Sequence, residues 1–171
     1  MSRSTKKLDN PNPNRAKYRI VFGAFLFFAG IASAMACLSF LMHWKADLSA
    51  VSDLGVATIE IENLVKGVGL YIGYFLVYKG FGISGIFLPI LFSITGFVLF
   101  FGLTKRRLIN LWTSGLFGML WLTFFLYVVL EKGSVFAGIV GYEMGLMLEE
   151  LTGMIGLLFI LLFTAIAYAV I

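Results

Sequence analysis

Cysteine and histidine are nearly absent from this sequence, which has one of each, Cys37 and His43. A single cysteine excludes a disulfide within the chain, and zinc sites need several Cys or His ligands at close spacing. No lysine follows a glycine, as the phosphate-binding loop of nucleotide hydrolases requires. The serines have no basic partner nearby in the sequence that would activate them. We therefore expect no metal ligands, no cofactor-binding residues and no catalytic residues in this chain.

Charged residues are missing from four long runs, residues 20–44, 80–104, 108–130 and 151–171. A bilayer core about 30 Å thick takes roughly 20 helical residues, so each run is long enough to cross it. The composition agrees, since 60% of the residues are hydrophobic and 13% are charged, whereas soluble domains have about 25% charged residues. The pattern predicts an all-α, polytopic membrane bundle. Its four transmembrane helices are expected at about 20–42, 82–103, 109–130 and 152–171.

The remaining charges fall in blocks of one sign. The head, residues 1–19, has a net charge of +5, and the link 105–107 adds three basic residues, whereas the two longer connections are net acidic. Basic flanks stay on the cytoplasmic side during membrane insertion. Both basic blocks are therefore expected inside and both acidic connections outside, with both termini in the cytoplasm. The last run ends in apolar residues, as expected where a chain has been cut at the end of a membrane domain.

The head 1–19 has too little apolar surface to fold alone and is predicted to be a disordered basic cytoplasmic tail. Such a tail suits membrane topology and contact with anionic lipid, and DNA binding is the alternative role. Another alternative concerns the first run, where small residues before Cys37 resemble the cleavage site of a signal peptide. The run is longer than the apolar core of a signal peptide, and its removal would leave an odd number of spans.

Two shorter apolar segments lie in the acidic connections, each ahead of a span. Residues 67–78 are rich in glycine and aromatic residues but too short to cross a bilayer, which predicts an interfacial or re-entrant segment. Residues 135–148 have apolar side chains at helical spacing, which predicts an amphipathic helix on the same outer surface. The chain thus consists of two similar units, each with a span, an outer helix and a second span. This pattern is compatible with an internal duplication.

Glycine recurs at the spacing that lets membrane helices pack closely. The pairs are Gly69 with Gly73, Gly115 with Gly118, Gly141 with Gly145, and Gly153 with Gly156. These contacts are expected either within the chain or between copies of it. Pro89 falls within the second span, where we expect it to kink or loosen the helix.

Several short motifs follow one another along the chain. They are Trp44-Lys45-Ala46-Asp47, residues 63–69, Tyr78-Lys79-Gly80-Phe81-Gly82, Leu88-Pro89, and residues 138–142 ahead of a leucine-rich span. In this order they resemble the N-terminal four-span domain of FtsK/SpoIIIE-type DNA translocases, over roughly residues 19–171. Gly, aromatic and Leu-rich patterns recur in many membrane proteins, so the order of the motifs is the specific part of the resemblance.

The resemblance implies a membrane anchor in the bacterial inner membrane at the division septum, with a role in cell division and chromosome partition. Such a domain contacts the lipid bilayer and divisome membrane proteins and assembles as a homo-oligomer, a hexamer. The motor of the family would lie in a part absent from this chain, so ATP, Mg²⁺ and DNA are expected to bind only there. Structural or partner-contact roles are implied for Trp44, Lys45 and Asp47 on the outer face and for Tyr78, Gly80, Phe81 and Gly82 before the second span.

The lack of ionisable residues in the four runs argues against a pump or an ion-coupled transporter, because such residues mark ion pathways through membranes. A complete small membrane protein that acts as a transporter, channel or accessory subunit is the alternative function. A lipid-modifying membrane enzyme is a third hypothesis, although the outer connections have no cluster of acids, bases or metal ligands that would suit it.

Overall fold

The computed structural model describes residues 13–52, 64–103, 106–130 and 133–170, and every regular element in these ranges is helical. The helices are α1 (Pro13–Ser52), α2 (Lys66–Gly73), α3 (Phe87–Phe100), α4 (Arg106–Val129) and α5 (Ile139–Val170). A π-helical segment, Tyr74–Phe81, and a 3₁₀ segment, Gly82–Ile86, join α2 to α3. Four helical stretches are long and apolar enough to cross a membrane. This confirms the predicted all-α bundle with four membrane-spanning helices.

Helix α1 begins at Pro13, so residues 13–19 of the basic head are helical. The prediction of a disordered tail is wrong for these residues, and residues 1–12 lie outside the described part of the chain. Proline suits the first turn of a helix, and Ala16, Lys17 and Arg19 are strong helix formers that continue directly into the apolar run. At its other end α1 extends past the predicted span to Ser52, with a break at His43 (φ −118°, ψ 25°).

Helices α1 and α3 pack side by side in opposite directions, and glycine makes their close approach possible. A Cβ atom at Gly30 would meet the Pro89 carbonyl oxygen, and one at Gly23 would meet the backbone of Phe100. Gly96 of α3 in turn lies against the backbone of α1. Lipid gives helices no hydrophobic reason to associate, so packing of this kind holds membrane helices together.

The chain reverses between α2 and α3. Gly80 has a non-helical conformation (φ −86°, ψ −122°), and Gly82 has a positive φ (φ 63°, ψ −139°). The Leu76 carbonyl lies against Gly85, although residues this far apart would be separated by about 13.5 Å along a straight helix. Residues 67–78 therefore form a helical segment that is folded back against the start of the second span.

Helix α2 packs against α1. The Leu64 N–H, just before α2, donates to the Ser39 hydroxyl at 3.0 Å, and Gly73 at the end of α2 lies against Phe40. The turn before α2 and the end of α2 therefore lie against adjacent residues of α1. The interfacial or re-entrant placement of residues 67–78 stays a prediction.

Pro89 lies in the first turn of α3, directly after the 3₁₀ segment. Amides of the first turn have no acceptor within their own helix, so proline costs no hydrogen bond there. The expected kink is absent from α3, all of which is described, and the change of helix geometry lies ahead of Pro89, at Gly82–Ile86.

Helix α5 folds back on itself at Gly153 (φ 71°, ψ 164°). In its first half, residues 139–152, Gly141 lies against Thr123 and Gly145 lies against the Tyr127 ring. This half therefore runs in the same direction as α4. The predicted amphipathic helix 135–148 begins only at Ile139, because residues 133–138 form turns.

The second half of α5, residues 154–170, returns along α4 in the opposite direction. The Trp121 indole N–H donates to the Leu161 carbonyl at 3.0 Å, and the rings of Phe117 and Tyr168 stack with centroids 4.7 Å apart. Tyr127 and Leu157 are buried where the two halves of α5 meet α4. The glycines at 141 and 145 thus make contacts within the chain, one of the two roles expected for them.

Candidate functional site

The bundle has two ends of different character. At the basic end, Arg19 of α1 lies beside Gly102, which follows α3. The opposite end contains Trp44, the reversal at Gly82 and the turns 133–138, and we refer to it as the Trp44 end. Its residues include most of those that the sequence motifs single out. The charge pattern predicts that this end faces outward.

Two turns of the chain meet backbone to backbone at the Trp44 end, which makes a crossing. The Ile83 N–H donates to the Phe136 carbonyl at 2.9 Å. A Cβ atom at Gly82 would fall on the Phe136 carbonyl oxygen, and one at Gly138 would fall on the Gly80 carbonyl. Gly82 and Gly138 also have positive φ values of 63° and 72°, which other residues rarely adopt. Both spacing and conformation therefore require glycine at these two positions.

A buried pair of hydroxyl groups lies directly below the crossing. The hydroxyls of Ser84 and Thr123 are in contact and join the start of the second span to α4. The Ser84 hydroxyl also lies 2.6 Å from the Phe81 carbonyl oxygen, and the Thr123 hydroxyl lies 2.8 Å from the Met119 carbonyl oxygen. Each hydroxyl has one proton, so one of them donates to the other hydroxyl, and the second donates to the carbonyl beside it. These partners are hydroxyls and carbonyls, neither of which activates a nucleophile. The pair therefore has a structural role between helices.

An aromatic cleft of about 550 Å³ opens at the Trp44 end. It lies between Trp44 and Leu48 of α1, Tyr78 before the reversal, Leu130 after α4, and the turns 133–136. A smaller hollow of about 80 Å³ continues from Tyr78 to Gly138 beside it. The cleft therefore lies next to the crossing and is lined by residues of α1, of the segment before α3, and of the chain between α4 and α5.

Lysine side chains lie over the aromatic rings around this cleft. The Lys45 ammonium lies 5.5 Å from the centre of the Trp44 ring, and the Lys79 ammonium lies 5.4 Å from the Tyr74 ring. The Tyr74 ring stacks on the Tyr78 ring with centroids 5.4 Å apart. The Tyr74 ring therefore lies between Lys79 and Tyr78, which lines the cleft. Each cation–π contact stabilises the arrangement by about 0.5 to 1 kcal/mol at an exposed site.

The structure brings most of the motif residues together at this end. Trp44 and Tyr78 line the cleft, Lys45 caps the Trp44 ring, and Gly80 and Gly82 form the crossing. Phe81 is half-buried, and its carbonyl oxygen lies beside the Ser84 hydroxyl. Pro89, Gly141 and Gly145 lie elsewhere, in contacts between helices.

Asp47 differs from the expectation of an outer-face contact residue. Its side chain is 0% exposed, although it lies one turn after Trp44 on α1. A buried carboxylate cannot reach a partner protein, so only the structural role remains for it. The outer-face role of Asp47 was implied by the family resemblance alone.

Tyr127 and Glu149 form a contact that sequence reasoning missed. The buried Tyr127 hydroxyl donates to the Glu149 carboxylate, and Gly145 leaves room for the tyrosine ring. In the sequence, Glu149 was interpreted only as one of the negative charges in the connection before the fourth span. A signal was present, because Gly141, Gly145 and Glu149 are spaced four residues apart and so share one face of a helix.

The described residues contain no group of three or more His, Cys, Asp or Glu side chains that could hold a metal ion. Comparisons with protein families, with curated proteins and with solved structures found no match for this chain.

Proposed function

We propose that this chain is a membrane-anchoring and assembly domain whose aromatic cleft receives a segment of another membrane protein. We place it in a bacterial cell-division DNA translocase, at the septum of the inner membrane. The four helices that can span a membrane supply the anchor, and the ordered motifs support the translocase. The observation that carries the proposal is that Trp44 and Tyr78, which belong to separate motifs, line one cleft.

The chemistry of the cleft favours a partner segment with large apolar side chains and acidic neighbours. Tryptophan and tyrosine contribute much of the binding energy at protein interfaces. Lys45 and Lys79 beside the cleft favour a negatively charged partner. A volume of about 550 Å³ lies in the range of pockets for small ligands, about 300 to 1,000 Å³. It therefore suits one or two anchoring side chains.

Localisation in dividing cells tests this function. A fluorescent fusion of residues 1–171 is expected to collect at the division site. The double variant Trp44→Ala, Tyr78→Ala is expected to stay in the membrane but to spread evenly around the cell. Phe159→Ala, on the exposed face of α5, is the control and should still collect at the septum. An even distribution of the parent fusion contradicts the septal role, and a double variant that still collects there contradicts the role of the cleft.

The translocase part of the proposal has its own tests. The translocase proposal predicts that codons downstream of residue 171 encode a motor with a phosphate-binding loop, where ATP, Mg²⁺ and DNA would bind. A stop codon directly after residue 171 would contradict this prediction. The purified chain in lipid nanodiscs should form hexamers by mass photometry. A chain that stays monomeric at every concentration contradicts the assembly role.

A transporter is the second candidate, and one observation favours it. Asp47 is buried and Glu149 meets a buried tyrosine, and buried ionisable groups in a membrane protein often mark a solute or proton pathway. This function predicts solute flux by the chain alone in liposomes, with a loss of flux in Glu149→Gln. Absence of any flux counts against it.

A further inference from the structure

A pocket of about 240 Å³ opens between α1 and α3 near the basic end. One alanine and five phenylalanines line it, and these are Ala24, Phe27, Phe28, Phe97, Phe100 and Phe101. Four of the rings follow one another around the pocket, with centroids 4.5 to 6.1 Å apart between neighbours. None of the lining side chains has a polar atom, so the pocket suits hydrocarbon.

Arg19 lies at the mouth of this pocket. The charge-free run of α1 begins at the next residue, and the Arg19 guanidinium lies beside Gly102, which directly follows Phe101 of the lining. Along α1 the lining runs from Ala24 to Phe28, about 7.5 to 13.5 Å from Arg19. Half of a hydrocarbon core about 30 Å thick is about 15 Å. The pocket therefore lies at the depth of the acyl chains whose headgroups meet Arg19.

The charge of Arg19 is available to an anion. The acidic side chains that the structure describes are all at the Trp44 end, and they are Asp47, Glu143, Glu149 and Glu150. Arg19 is exposed and lies at the carboxyl end of α3, where the helix dipole supplies only about half a negative charge. A guanidinium binds a phosphate group through two parallel hydrogen bonds.

We propose that this pocket binds one anionic phospholipid. One acyl chain lies between α1 and α3 against Phe28 and Phe101, and the phosphate accepts hydrogen bonds from Arg19. Basic pockets between membrane helices bind lipid headgroups in this way. Attraction of the basic head to a charged membrane surface needs no pocket, whereas this site requires Arg19 and the phenylalanines to hold the same molecule. The site is at the opposite end from the aromatic cleft and does not depend on the proposed function.

Native mass spectrometry of the purified full chain tests the headgroup contact. The chain released from vesicles of equal phosphatidylglycerol and phosphatidylcholine is expected to retain phosphatidylglycerol. Arg19→Gln should weaken this retention about fivefold, which corresponds to about 1 kcal/mol for one charge near an anionic lipid. Lys45→Gln removes the same charge from an exposed position at the Trp44 end and should leave the retention unchanged. Equal retention of both lipids by the parent chain, or equal losses in the two variants, overturns the proposal.

A photoreactive side chain tests whether the same lipid enters the pocket. Benzoylphenylalanine replaces either Phe28, at the pocket, or Phe163 of α5, because the two have similar exposure, 68% and 71%. Position 28 should yield lipid adducts enriched in phosphatidylglycerol, and Arg19→Gln should reduce the enrichment. Position 163 should yield adducts in the proportions of the vesicle.

Two results at position 28 contradict the proposal. Adducts in the proportions of the vesicle would mean that Arg19 attracts headgroups while no particular lipid enters the pocket, and this overturns it. Adducts between two protein chains also overturn it, because a second copy would then cover the pocket.

Discussion

A Cβ atom at Gly138 would fall on the backbone nitrogen of Gly82. This contact fastens the pair formed by α1 and α3 to the pair formed by α4 and α5. It lies beside the aromatic cleft, so the shape of the cleft depends on the distance between these two backbones. A side chain at either glycine would force the two turns apart.

The first prediction separates steric clash from backbone strain at this crossing. Gly138→Ala is expected to lower the free energy of unfolding by about 3 kcal/mol or more, because strain at positive φ, about 1 to 2 kcal/mol, adds to a collision with backbone. Gly133→Ala is the matched control. Gly133 also has a positive φ, 86°, but a Cβ atom there meets nothing within 4 Å. Unfolding in detergent with a chemical denaturant measures both, and equal losses would contradict the crossing.

The second prediction concerns the hydroxyl pair below the crossing. A double-mutant cycle with Ser84→Ala and Thr123→Val should give a coupling energy of about 0.6 to 1.7 kcal/mol, the range for side-chain hydrogen bonds between membrane helices. Thr113→Val serves as the control, because the Thr113 hydroxyl bonds carbonyls of its own helix, Ile109 and Asn110. Strict additivity of the two substitutions at 84 and 123 would show that the hydroxyls do not interact.

The third prediction addresses the tyrosine that joins α4 to the first half of α5. Tyr127→Phe should lower the free energy of unfolding by about 1.5 to 3 kcal/mol, because the Glu149 carboxylate loses a donor. Glu149→Gln should cost less, since the amide oxygen still accepts the hydroxyl. Tyr71→Phe, on an exposed ring, should change stability by less than about 0.5 kcal/mol. The same loss at 71 and 127 would mean that the Glu149 contact adds nothing.

The fourth prediction tests the orientation derived from the charge blocks. In a chain with Cys37→Ala, single cysteines are introduced by Asp53→Cys and by Arg106→Cys. A thiol reagent that cannot cross membranes, added from outside, should label position 53 and leave position 106 unlabelled. Labelling after the membrane is opened is the control that both cysteines can react. Outside labelling at position 106 alone would reverse the topology.

The number of spans and the helical class could be predicted from the sequence because both follow from the local composition. A run without charges indicates membrane burial whatever the rest of the chain does. The glycine pair at 141 and 145 was also recognisable, since small residues four apart lie on one helix face. Trp44 and Tyr78 could be singled out as motif residues, but no local pattern indicates that they share a cleft.

The reversals could not be predicted because distant parts of the chain determine them. Gly82 and Gly153 have the same residue type as glycines that pack inside straight helices, and only the backbone around them reveals a positive φ. The close approach of Gly23 and Gly96 depends on α1 and α3 being neighbours. Likewise, the partner of Glu149 depends on where α5 folds back, which hydropathy does not record.

The hydrogen bond from Ile83 to Phe136 also bears on how the protein is made. Chains enter the membrane from the N-terminus, so α1 and α3 are able to pair before residue 136 has been synthesised. Until then the Ile83 amide has no carbonyl from this turn to bond. A nascent chain that stops short of residue 138 therefore lacks both the carbonyl that pairs with Ile83 and the glycine that packs against Gly82.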